Sequence, residues 1–159
     1  MKTLLSLSSL ALSLAFLTAC GSDPEPSATM AQPATIPQLT MPAAQVGQKM
    51  TTASGLQYEV LRVGTGARPF AYDRVRVHYH GYLPNGTVFD SSVDRGEPIS
   101  FDLDKVIAGW TEGLQLMQEG AQYRFTIPSG LAYGVAGSPP KIGPNQTLMF
   151  DVELIQVIR

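Results

Sequence analysis

The chain is poor in cysteine: Cys20 is the only one in 159 residues. That excludes an internal disulfide, and it leaves the rest of the chain without a cysteine nucleophile or a thiolate metal cage. Charge is scarce too, at 15% of residues and a formal net charge of -2. A chain that binds nucleic acid needs a clustered basic surface, and none is visible. Leu4–Phe16 is an apolar run, but it falls short of the roughly 20 residues that a membrane span requires. There is no G-x-S-x-G elbow, and no Walker-type or G-x-G-x-x-G loop, so nucleophilic hydrolysis and phosphate cradling both lack their usual carriers. What is present is 44% hydrophobic residues with a single Trp, the composition of a globular domain.

The cysteine has a context. Lys2 gives a positive start, the Leu/Ser/Ala-rich run follows, and Leu17-Thr18-Ala19-Cys20-Gly21 closes it. This is a signal-peptide core, and its tail resembles the processing site of bacterial lipoproteins. The resemblance implies cleavage of residues 1–19 and a lipid on Cys20, which anchors the chain to a membrane without a spanning helix. The competing reading is a plain secretory signal with an accidental cysteine. Gly21 is not the Asp associated with inner-membrane retention, which favours the outer membrane where a cell has one. From Cys20 to residue 49 the chain carries Pro24, Pro26, Pro33, Pro37 and Pro42 among Ser, Thr, Ala and Gln. No apolar periodicity survives there, so it reads as a Pro-rich tether.

From about residue 50 the texture changes. Leu56–Val63 alternates with a phase slip at 60–61, which predicts a strand with a bulge. Val75, Val77 and Tyr79 face one way along the next strand, and Arg76, His78 and His80 the other. His78 and His80 could be paired metal ligands, but no third ligand is evident, and a solvated outer face is the competing reading. Pro84-Asn85-Gly86 signals a hairpin, and Thr87–Ser92 returns. Asp90 and Asp94 flank a Ser-rich turn, either as a carboxylate pair or, more commonly, as caps. Ile99–Leu103, Gln122–Ile127 and Leu148–Ile158 also alternate. Between the last two, Ser129–Gln146 is too long to be a simple connection. About five strands and one short helix, with hairpins and no βαβ unit, give an α+β fold: an antiparallel sheet with a helix on one face.

That helix carries Trp110. Ile107, Trp110, Leu114 and Met117 share a helical face, Asp104 stands where an N-cap is useful, and Gly120 offers a stop. Gly109 leaves the backbone open to close approach. Val106, Ile107 and Trp110 are either ordinary core or the lining of a pocket.

A resemblance bears on that choice. Val77-His78-Tyr79-His80-Gly81, Phe89-Asp90-Ser91-Ser92, Val106-Ile107-x-Gly109-Trp110-x-Glu112-Gly113, Ala132-Tyr133-Gly134 and Leu148-x-Phe150-Asp151-Val152-Glu153-Leu154 resemble the FKBP-type peptidyl-prolyl cis-trans isomerases. The order and spacing hold from about Thr51 to Arg159. Thr52–Tyr58 is similar to the macrophage-infectivity-potentiator-like branch. The resemblance implies a half-barrel antiparallel sheet wrapped over a short helix in residues 50–159, with no cofactor and no metal. It implies aromatic walls at Tyr79, Phe89 and Phe150, a floor at Trp110, and a rim at Val106 and Ile107, where the Ile107 N–H bonds a substrate carbonyl. It gives Asp90 as the polar group at the edge, Tyr133 as the hydroxyl donor and Ile142 as an apolar flap residue.

Two positions depart from the family pattern: Ile99 where many members have an aromatic wall, and Ser138 where some carry His. The family's large inserted chaperone domain and helical dimerisation region have no counterpart, which predicts a monomer. The implied activity is isomerisation of X–Pro bonds in exported polypeptides at the cell envelope, with macrolides of the FK506 or rapamycin type as possible ligands. The alternative is a peptide-holding module with the same pocket and no catalysis.

Overall fold

The computed structural model describes residues 44–159. The signal peptide, Cys20 and nearly all of the expected tether lie outside the described residues. Seven strands form one sheet: β1 (Lys49–Thr51), β2 (Gln57–Arg62), β3 (Arg74–Tyr82), β4 (Val88–Ser91), β5 (Ile99–Asp102), β6 (Gln122–Ile127) and β7 (Leu148–Ile158). Two helices accompany it, α1 (Ser92–Arg95) and α2 (Ala108–Leu114). The architecture is the expected open antiparallel sheet over a short helix, with more elements than the five strands and one helix read from periodicity. β1 and α1 span three and four residues, too few to display a period.

The strand order is β1-β2-β6-β7-β3-β4, and β5 also pairs with β3. All pairings are antiparallel. The long β3 therefore has a divided edge. Its first half, Arg74–Val77, takes β5, and its end, His80–Tyr82, takes β4. Between these two partners the sheet opens, and that opening positions the site.

Alternation decides the buried face. Leu148, Phe150, Val152 and Leu154 of β7 are buried, as are Tyr123, Phe125 and Ile127 of β6 and Val75, Val77 and Tyr79 of β3. Each such side chain contributes about 1.5–3 kcal/mol by leaving water. The outer positions pair across strands: Arg124 donates to both carboxylate oxygens of Asp151, at 2.7 and 2.9 Å, from directly opposite in the register. The phase slip in β2 is a register shift between Val60 and Arg62.

The β3–β4 hairpin differs in detail from a two-residue Asn-Gly turn. Gly86 N–H bonds Leu83 C=O at 2.8 Å, and Leu83 N–H bonds Thr87 C=O at 2.9 Å. The loop is thus Pro84-Asn85-Gly86. Proline suits the first corner of an ordinary turn, and Gly86 closes it at φ 87°, a three-residue hairpin.

α2 is shorter than its apolar face. It starts at Ala108 with Ile107 in the capping position and no side-chain cap. Asp104 instead sits in a 3-10 turn, Leu103–Lys105, tied to the helix where the Thr111 hydroxyl donates to Leu103 C=O at 2.6 Å. The helix stops at Leu114, not at Gly120. Leu116 N–H and Met117 N–H bond three residues back, at 3.0 and 3.1 Å. The chain tightens there while Met117 stays buried. Gly109 faces the sheet, not an approaching ligand: a Cβ there would meet Ile127 Cγ2 at 2.5 Å. Its missing side chain lets α2 lie against β6.

Candidate active site: an aromatic cavity between the sheet and the helix

The stretch Phe89–Ser92 builds one wall. Phe89, at the inward position of β4, is buried and meets Phe150 edge-on, with ring centroids 5.4 Å apart. Ser91 caps α1, its hydroxyl accepting from Asp94 N–H at 3.1 Å. Neither aspartate of this turn is the cap. The fully buried Ser92 hydroxyl accepts from Tyr79 N–H at 2.8 Å and locks α1 to β3. α1 also half-covers the outward face of β3. His78 Nδ1 lies 3.1 Å from the Ser92 hydroxyl, and His80 Nδ1 2.9 Å from that of Ser91. These histidines serve the α1 junction instead of facing open water. Among the described residues no group of three or more His, Cys, Asp or Glu could hold a metal ion.

α1 delivers Arg95 as well, a residue that the sequence reading did not single out. The Tyr79 hydroxyl donates to Asp90 Oδ2, and Arg95 Nη1 to Asp90 Oδ1. Arg95 Nη2 also donates to the Tyr79 oxygen at 3.1 Å. Burial works against ionisation of Asp90, but the Tyr79 and Arg95 hydrogen bonds outweigh it and hold the carboxyl below its ordinary value. Burial raises the Tyr79 phenol, and the carboxylate it bonds raises it further. Both oxygens of Asp90 are therefore engaged, and the triad holds the Tyr79 ring in place.

Trp110 is the hub. Its ring lies 5.3 Å from Tyr79, 5.2 Å from Phe101 and 5.1 Å from Phe150, edge-on to the first and last. Such pairs add about 0.5–1.5 kcal/mol each beyond burial. The indole N–H is buried with no hydrogen-bond partner. An orphaned donor costs about 1–3 kcal/mol.

Every pocket residue expected from the sequence lines one cavity of about 740 Å³: Tyr79, Phe89, Asp90, Ile99, Val106, Ile107, Trp110, Tyr133, Ile142 and Phe150. Its remaining lining comes from Phe101, Lys105, Ser138, Pro139, Pro140 and Lys141. Of these, Phe101 was legible, since it alternates with Ile99 along β5. It restores an aromatic surface two residues from the aliphatic Ile99. Lys105 ends the short 3-10 turn after β5, and Ser138, Pro139, Pro140 and Lys141 sit in a loop without periodicity.

The long loop has structure of its own. Ser138 N–H bonds Ile142 C=O at 2.8 Å, and Ile142 N–H returns to Ser138 C=O at 3.0 Å. This bridge presses the buried Ile142 into the cavity while Pro139, Pro140 and Lys141 form its tip. Tyr133, 42% exposed, faces the same cavity. Among the described residues, neither the Tyr133 hydroxyl nor the Ile107 N–H has a hydrogen-bond partner. The site is an apolar box with two unspent donors at its edge.

Known proteins share this pattern. Residues 66–155 match the family described as FKBP-type peptidyl-prolyl cis-trans isomerase. The isomerase FkpA of Aeromonas hydrophila is 57% identical over 107 residues, 67% of this chain and 40% of that protein. The outer membrane protein MIP of Legionella longbeachae is 49% identical over 104 residues, 65% of this chain and 45% of its own. The crystal structure of FkpA from Escherichia coli superimposes with a TM-score of 0.67 at 50% identity, over 72% of this chain and 53% of that one. The chain thus spans about half or less of the length of these relatives. With the family match running from ahead of β3 into β7 and over the whole aromatic cavity, this chain belongs to the FKBP-type peptidyl-prolyl cis-trans isomerases.

Proposed function

We propose that the chain isomerises X–Pro bonds of polypeptides at the cell envelope, using the cavity floored by Trp110. The observation that carries this is the pairing of an apolar aromatic box with two unpartnered donors, the Ile107 N–H and the Tyr133 hydroxyl.

Rotation about an amide is slow because twisting breaks resonance, a barrier of about 18–20 kcal/mol. An acceleration of about 10⁵ requires roughly 7 kcal/mol of stabilisation given to the twisted state over the planar one. No covalent bond to the substrate is needed. A proline ring seated on Trp110, between Tyr79, Phe89 and Phe150, places its amide in apolar surroundings. The planar, charge-separated amide loses more there than the twisted one. The Ile107 N–H and the Tyr133 hydroxyl hold the flanking carbonyls so that the bond turns while its ends stay fixed. Tyr79 and Arg95 each bond one oxygen of Asp90, and the role of this carboxylate is to fix Tyr79. Ile142 and Val106 close the box against water.

The envelope location rests on the signal-like start with Cys20 as the lipid site, and on the outer-membrane name of the Legionella relative. A lipid at Cys20 would hold the folded part at the membrane through the Pro-rich stretch, as a monomer meeting unfolded clients. Labelling with radioactive palmitate, abolished by Cys20→Ser, tests the anchor.

The activity test is a proline-peptide isomerisation assay with Trp110→Ala and Phe89→Ala as controls. A rate increase lost in both variants supports the proposal. Peptide binding without any rate change would assign the same cavity to holding instead of catalysis. Quenching of Trp110 fluorescence by FK506 reports cavity occupancy separately from turnover.

A further inference from the structure

The cavity mouth has an unbalanced charge. Asp90 is neutralised by Arg95. Lys105 bonds Asp102 at 3.0 Å, and that carboxylate also takes Arg74 at 3.2 Å; Asp104 adds a second acid beside Lys105. Acids and bases cancel at that end. Lys141 differs. It is the only charged residue in the loop 129–147, it is exposed, and no carboxylate among the described residues lies within ion-pair distance. Its backbone is fixed at the tip of the Ser138–Ile142 bridge, beside the buried Ile142. Lys141 is therefore a cation without a counter-ion on the lining of an otherwise neutral pocket, on a chain whose formal charge is negative.

We infer that Lys141 is a specificity-determining residue that makes this pocket prefer prolines flanked by an acidic side chain. The inference rests on the proposed isomerase reading of the cavity. A peptide threaded with its proline on Trp110 must pass the loop tip, so a neighbouring Glu or Asp comes near the Lys141 ammonium. At about 7 Å through water, opposite charges gain enough for roughly a threefold preference. Such an exposed interaction is screened by salt, since the Debye length falls from about 30 Å at 0.01 M to about 3 Å at 1 M.

The test uses the full chain and three tetrapeptides, Ala-Xaa-Pro-Phe with Xaa as Glu, Gln or Lys. kcat/KM and the Kd from Trp110 fluorescence are measured in parallel at low and high salt. The expected result is a Glu-over-Gln ratio of about threefold at low salt that falls to about one in 1 M salt. Lys141→Gln should erase the ratio, and Lys141→Glu should invert it in favour of the Lys peptide. Lys105→Gln should move it less, because Asp102 already offsets that charge.

A ratio of one in the unmodified chain at low salt overturns the inference. So does a preference that survives Lys141→Gln. The two readings fail separately. Equal turnover of all three peptides removes the charge selection and leaves the isomerase. A Glu preference in affinity with no turnover keeps Lys141 as the selector and removes the isomerase.

Discussion

Asp90 illustrates how a residue conspicuous in sequence gets its role from neighbours that sequence did not reveal. A carboxylate at the edge of an apolar site invites a proton-transfer role. Its two oxygens are instead taken by Tyr79 and Arg95. Arg95 arrives through the four-residue α1, and nothing periodic announces so short an element. The triad makes a prediction in pH. Burial opposes ionisation of Asp90 and the two hydrogen bonds favour it, with the net value below that of an ordinary carboxyl. Its stabilisation is therefore present above the unfolded pKa, about 3.9, and lost as pH falls through the lower folded value. Asp90→Asn should destabilise the fold by about 0.5–1 kcal/mol at pH 7, the scale of a solvent-screened pair. Thermal melts at pH 7 and pH 3 should show the gap between variant and parent closing at the lower pH. Tyr133 carries a second prediction. Its hydroxyl is unpartnered and its ring half-exposed, so Tyr133→Phe should leave the melting temperature alone and cost about tenfold in kcat/KM, about 1.4 kcal/mol. Full activity would remove the hydroxyl from the mechanism. Alternation along the strands and the α2 face turned Tyr79, Phe150 and Trp110 inward, but their convergence on one cavity was legible only through the family resemblance, because periodicity does not report which inward side chains meet. Phe101 obeys the same alternation with Ile99.

At the scale of elements, side-chain period and hydrogen-bond pattern part company. Ile107, Trp110, Leu114 and Met117 keep helical spacing, yet the helix ends at Leu114 because the next N–H groups bond three residues back. Periodicity reports which face is covered, and it is indifferent to how the backbone closes its rings. The loop 129–146 is the converse: it has no period, yet it has a defined core of hydrogen bonds that no composition rule displays. Gly137 is its pivot. It holds φ 64°, and a Cβ there would meet the carbonyl oxygens of Ile142 and Gly143 at 2.6 Å. Those atoms are backbone and cannot swing aside. Gly137→Ala should therefore displace the Ser138–Ile142 bridge and withdraw Ile142 from the cavity. The expected result is a KM for proline peptides raised about fivefold to tenfold, roughly 1–1.4 kcal/mol, with a much smaller change in melting temperature. Gly109→Ala should do the reverse. Its Cβ would strike Ile127 in the core, and overpacking there costs about 1–3 kcal/mol of stability, readable as a lower urea midpoint.

Across the whole molecule, the sheet order separates what stabilises the fold from what does the chemistry. β1 is at one end of β1-β2-β6-β7-β3-β4, and the cavity draws on β7, β3, β4 and β5, none of which pairs with β1 or β2. Ordered pairing starts slightly before residue 50: Gly47 N–H bonds Val60 C=O at 2.7 Å, Val60 N–H bonds Gln48 C=O at 3.0 Å, and Ala44 packs on the core. The change of texture near residue 50 locates the fold, but an exposed three-residue edge strand has no buried face to register in composition. A chain starting at Thr52 loses β1 and leaves β2 as a bare edge. The lost bonds are backbone bonds at a wet edge, each worth about 0.5–1.5 kcal/mol net. The melting temperature should fall by roughly 5–10 °C relative to a chain starting at Ala44. Its kcat/KM at 10 °C, well below the transition, should match the longer form within about twofold, since the Trp110 box loses no wall. If the shorter chain instead kept its stability and lost turnover, β1 would be supporting the cavity through the intervening strands, and the separation of edge from site along this sheet would not hold.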